Sequence, residues 1–178
     1  MSSFKHIWHS MMNLVADAFF SVSHSIILAL RYKIVIKGEE CLFNEDGKKI
    51  SSTLFLANHS SHLDATFIAY ELLQRRVPFI IWALDRTFKL PYLRWAARHV
   101  QVVKVPNITE RRSEKHSTKL HKLVTRTADG LRKGQNFLIF PAGLVKRTPI
   151  EKIDGKSALP LILQQCPDVN IVLVRITG

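Results

Sequence analysis

Acidic residues are in short supply: 14 Asp and Glu face 26 Lys and Arg, which leaves a formal net charge of +12 on 178 residues. Such an imbalance disfavours polycationic partners. It points to anionic lipid surfaces, phosphorylated substrates or nucleic acid, beside the plainer reading of a soluble basic protein. Helix-turn-helix, zinc-finger and RNA-recognition signatures are absent, so no nucleic-acid partner is expected. Cysteine is nearly absent too. Cys41 and Cys166 form no CxxC pair and no dense framework, which argues against a disulfide scaffold and suits a reducing compartment. No repeat at solenoid or propeller spacing occurs. No low-complexity tract occurs either, and 47% hydrophobic residues suffice for one domain with a real core.

A long uninterrupted apolar run is also missing. From Phe4 through Trp8, Met11, Val15, Phe19 and Val22 to Ile27, apolar residues recur at helical spacing and predict an amphipathic helix over residues 1–30. Asp17 and His24 interrupt the span of about 20 apolar residues that a transmembrane helix needs. Asp17 and the lack of a small-residue cleavage site also speak against a signal peptide. A helix lying in a membrane surface and a helix packed on its own domain both fit the stripe.

The rest, residues 31–178, reads as one α/β domain. "RYKIVIKGEE" predicts a first strand ending at Gly38, and "TLFLAN" a second. A helix over 63–75, a strand over 78–84, a short helix near 90–99 and the strand "VQVVKV" follow. A basic helix over about 108–133 has Asn107 as N-cap with Glu110 three residues on. Its inner stripe is Leu120, Val124, Ala128 and Leu131, and Gly134 is its stop. The strand "QNFLIF", a helix over 157–165 and the strand "NIVLVRI" close the order. Apolar strands alternating with helices predict a mostly parallel, mixed sheet covered on both faces. In such sheets sites gather at the strand C-terminal ends. "NIVLVRITG" resembles a buried strand with nothing after it to cover it, so the chain is expected to be cut short at its C-terminus.

Two stretches sit at those ends: "ANHSSHLD" and "FPAG". In the first, His59 falls in a turn and Asp64 in the first turn of the next helix, where a carboxylate can fold back onto one imidazole nitrogen. That is a base and its orienter, with no nucleophile needed if the substrate brings a hydroxyl. The competing reading is a cap: Ser61 with Asp64 three residues on is box-like, and Asp is favoured at a helix N-terminus. His62 could join His59 and Asp64 as metal ligands, but no fourth group of the usual zinc type is nearby. No metal is expected.

"NHSSHLD" resembles the N-H-x4-D motif of the glycerolipid (lysophosphatidic acid) acyltransferase superfamily. "KLPYLRWAARHVQVVKVP", "GQNFLIFPAG" and "EKIDGKSALPLILQQCPDVNIVLVRITG" resemble its later blocks, in the family's order. The resemblance implies an enzyme in which His59 deprotonates the free hydroxyl of a lysophospholipid and Asp64 orients the imidazole. The hydroxyl then attacks an acyl thioester of coenzyme A or acyl carrier protein, and no bound cofactor takes part. It assigns substrate contacts to Asn58, Pro141 and Gly143. Pro141 as a strand end and Gly143 as a turn glycine are the plainer alternatives. The chain departs from the family where Ala142 replaces a glutamate, Leu144 and Val145 stand in place of an arginine, and Leu84 replaces a common lysine. Arg86, Lys146 and Arg147 are the cations left to meet a phosphate. The Phe-Pro-Ala-Gly form resembles the acyltransferase modules joined to acyl-ACP synthetases, which act on acylglycerophosphoethanolamine. A second reading is a catalytically degenerate, basic membrane-binding or interaction domain.

Between Arg111 and Arg147 ten Lys or Arg are opposed only by Glu114 and Asp129. A solvated helix face is one reading and contact with an anionic membrane the other. The expected location is the cytoplasmic face of a membrane, as a peripheral or monotopic protein.

Overall fold

Runs such as "LFLA" and "FLI" are apolar at every position rather than at every second one, which suits strands buried on both faces. The computed structural model describes residues 31–84, 100–105, 114–145, 153 and 158–177. In it these runs become β1 (Thr53–Ala57), β2 (Ile80–Leu84), β3 (Gln101–Val105), β4 (Phe137–Ile139) and β5 (Asn170–Val174). Helices α1 (Asp64–Gln74), α2 (Glu114–Arg132) and α3 (Leu159–Gln165) lie between them in sequence. The strands form one sheet in the order β3-β2-β4-β1-β5, and every ladder between these five strands is parallel.

Side-chain alternation along the strands splits the core into two layers. On one face Leu54, Trp82, Val103, Phe137 and Ile139 meet Val124, Ala128 and Leu131 of α2 and Ile162 of α3. On the other, Phe55, Ala57, Ile81 and Leu138 meet Ile68 and Leu72 of α1. Val124, Ala128 and Leu131 of the expected inner stripe are buried, and Leu120 is half-buried. Gly134 ends α2 at φ 86°, with its N–H on the Leu131 carbonyl and that of Gln135 on Gly130. This is a Schellman closure. Near the end of the sheet where the strands begin, the buried Asn136 ties three segments together. It accepts from the Thr53 N–H at 3.0 Å and donates to the carbonyls of Ile50 at 3.1 Å and Pro78 at 2.9 Å.

One expected strand is absent. Residues 32–38 form no ladder, and Val35 is 67% exposed. Period-two patterning makes a strand only where a neighbour supplies ladder bonds, and residues 32–38 carry none. Residues Glu40–Gly178, which hold the whole sheet, form one compact unit, and residues 31–39 belong to another, Met1–Glu39. The expected helices over 1–30 and 90–99 and the Asn107–Glu110 cap lie outside the described residues. No helix among the described residues is long and apolar enough to cross a membrane.

Candidate active site

β1 ends at Ala57, and the chain then leaves the sheet through a turn into α1. Parallel pairing fixes what lies alongside. The register Leu56↔Ile139 sets Phe140 beside this exit, and Ala57↔Val174 sets the end of β5 on the other side. His59 lies in the turn with 17% of its side chain exposed, and Asp64 opens α1 with 2% exposed. His59 Nδ1 lies 3.2 Å from Asp64 Oδ2. The same oxygen accepts the backbone N–H groups of Ser60 at 2.6 Å and Ser61 at 2.7 Å. A buried carboxylate is tolerated only with such donors around it. With a carboxylate as the acceptor, the tautomer that satisfies this contact carries its hydrogen on Nδ1 and its lone pair on Nε2.

Asp64 thus lies within reach both of His59 and of the backbone at the helix start, the two placements that the sequence readings of Asp64 require. The carboxylate reaches back to the Ser61 N–H, which is half of a capping box. The other half is changed, because Ser61 Oγ accepts from Leu63 N at 3.2 Å rather than from the N–H of Asp64. The residue before α1 is Leu63, which makes no side-chain cap. His62 is exposed, and among the described residues no three His, Cys, Asp or Glu gather as metal ligands.

Phe140 is the site residue that sequence reasoning missed. Its ring packs against His59 with centroids 4.4 Å apart and an interplanar angle of 32°. The "FPAG" stretch puts it at a strand end, but only the parallel register of β1 and β4 brings it alongside the exit to His59. The segment after it is a tight turn: Gly143 N–H donates to the Phe140 carbonyl at 2.9 Å, and Gly143 stands at φ 68°. Pro141 occupies the second position of this turn, where its fixed φ is suited. Asn58 has both ends of its side-chain amide on the main chain of Ile176. The structure thus brings Asn58, His59, Asp64 and Phe140 to one strand-end, with the 140–143 turn following Phe140. Arg86, Lys146 and Arg147 lie outside the described residues.

A carboxylate-oriented imidazole beside a strand-end turn can take a proton from a hydroxyl and return it to a leaving group. A family model described as acyltransferase matches residues 37–175, which include every described element of the sheet and the site. No curated protein matches the chain.

Proposed function

The chain belongs to the acyltransferase family, and from that premise we propose that it moves a fatty acyl group from a thioester to the free hydroxyl of a lysophospholipid. The observation that carries this reading is the His59–Asp64 contact of 3.2 Å at the C-terminal end of a parallel strand. In the proposed reaction, His59 Nε2 takes the hydroxyl proton as the oxygen attacks the thioester carbonyl. A C–O bond forms, the C–S bond breaks, and the imidazolium returns the proton to the departing thiolate. Asp64 stabilises that transient charge and holds the tautomer. Its carboxylate is kept in place by Ser60 and Ser61, so little reorganisation is needed during the step.

The donor is coenzyme A or acyl carrier protein. Arg86, Lys146 and Arg147 are the proposed phosphate-binding cations, and the Pro141–Gly143 turn the proposed backbone approach to substrate; these roles rest on the sequence. For the membrane, the described support is on α2 and the residue that follows it. Lys119, Lys122, Arg126 and Lys133 are all exposed and lie within about 60° of one another around the helix at its 3.6-residue period. They face away from Val124, Ala128 and Leu131. Each such cation contributes about 1 kcal/mol near an anionic bilayer. The apolar stripe of residues 1–30 would add an interfacial anchor at the cytoplasmic face.

Ala142, in the turn beside the site, favours a second reading, a domain that binds lipid without turnover. Labelled acyl-CoA and acyl carrier protein, offered with lysophosphatidylethanolamine and lysophosphatidic acid on anionic vesicles, separate the two. Diacyl product supports the enzyme. Vesicle-bound, folded protein that forms no product with any pair supports the binding domain.

A further inference from the structure

At residue 58 the polypeptide leaves the sheet, whereas the chain that forms β5 runs on beside the vacated position. The main-chain N–H of Asn58 makes the last ladder-like bond, to the Val174 carbonyl at 3.3 Å. Beyond it the side chain takes over. Asn58 Oδ1 accepts the Ile176 N–H at 2.6 Å, and Asn58 Nδ2 donates to the Ile176 carbonyl at 3.0 Å. A primary amide has one acceptor and one donor edge, as a peptide group has, so this pair reproduces a strand pairing without a strand. Residue 58 is thereby held by three hydrogen bonds immediately before the histidine.

We propose that Asn58 is a positioning residue, coupling the end of β5 to the catalytic turn and so fixing where His59 presents its imidazole. The backbone leading into His59 is set by the Ile176 clamp, Nδ1 by Asp64 and the ring face by Phe140. Remove the clamp and the histidine keeps its chemistry but loses its aim. On this view Asn58 acts through Ile176 rather than through substrate, because both polar atoms of its amide are oriented by the Ile176 main chain. Asn136 is the contrasting case. It too bonds backbone through its amide, but at the other end of the same strands, so it holds the sheet and leaves the histidine alone.

The kinetic part of the test rests on the acyl-transfer reading, and the spectroscopic part does not. Asn58→Asp has nearly the same shape but turns an acceptor toward the Ile176 carbonyl. Ile176→Pro removes the N–H from the opposite side and keeps Asn58. Asn136→Ala serves as a purely structural comparison. Protein labelled with ¹⁵N in its histidines reports the His59 tautomer, and steady-state transfer to lysophospholipid reports kcat and KM. Whichever clamp variant folds is expected to lose about 10²-fold in kcat, the scale of a small misplacement of a reacting group. KM for both substrates should stay within about twofold, the signature of a loss in the chemical step rather than in uniform binding. The His59 Nδ1–H signal should weaken in that variant and not in Asn136→Ala. A raised KM with unchanged kcat would make Asn58 a substrate contact and overturn the proposal. An unaltered His59 signal in the clamp variants, or an equal change in Asn136→Ala, would overturn it as well. If the wild type transfers no acyl group, the functional reading fails, and the tautomer comparison still decides the clamp.

Discussion

At the scale of single residues, one oxygen of Asp64 carries most of the site's order, since it accepts from Ser60, Ser61 and His59 together. An asparagine there keeps the shape but brings two donors into a pocket built of donors. Asp64→Asn should lower kcat by about 10³-fold, within the range seen when acid–base machinery is disabled. It should also cost about 1–3 kcal/mol for the buried groups left unsatisfied, read from the urea midpoint. His59 and Asp64 were legible in the sequence because they are five positions apart and separated only by a turn, so local geometry brings them together. The contact of Phe140 with His59 and that of Ile176 with Asn58 were not legible. Each residue meets the site through a distant strand, and Ile176 contributes only backbone atoms, which leave no mark in side-chain chemistry.

At the scale of elements, two helices end in the same way with different residues. α2 places Gly134 in the left-handed position that a Schellman closure requires. α1 places Arg76 there at φ 54°, with Arg76 N–H on Leu73 and Val77 N–H on Leu72. Side chains pay about 1 kcal/mol or more for that conformation, so Arg76→Gly should raise stability by about 0.5–1 kcal/mol in urea unfolding. The reverse holds inside α2. Alanine normally improves a helix over glycine, but a Cβ at Gly130 would stand 2.7 Å from the Phe137 ring. Gly130→Ala should therefore destabilise by about 1–3 kcal/mol, as overpacking does. The strands were legible because the interior of a parallel sheet makes whole runs apolar. Residues 32–38 misled, since their alternation mimics a strand while no described strand pairs with them.

At the scale of the molecule, the described residues of α2 and β5 differ in what they expose. The cations of α2 line its outer face, and apolar surface remains on the β5 edge of the sheet. In the parallel register Leu173 pairs with Leu56 and points to the same face, yet it is 78% exposed, with Ile171 and Leu161 exposed as well. A sheet edge without charge invites pairing with other chains. Leu173→Lys should leave the unfolding midpoint nearly unchanged and reduce concentration-dependent association in sedimentation. The sequence revealed the positive charge but not this edge, because strand order is set by long-range pairing that a run of apolar residues does not encode.

The central claim is that His59 activates an acceptor hydroxyl for direct attack on a thioester. The most direct measurement is thiol release from an acyl thioester with and without lysophospholipid, for the wild type and for folded His59→Gln. The account predicts release that depends on the acceptor, shows no acyl-enzyme burst, and falls by about 10³-fold or more in the variant, the scale of lost general-base catalysis. Equal release by both proteins, or a burst in the absence of acceptor, would contradict it.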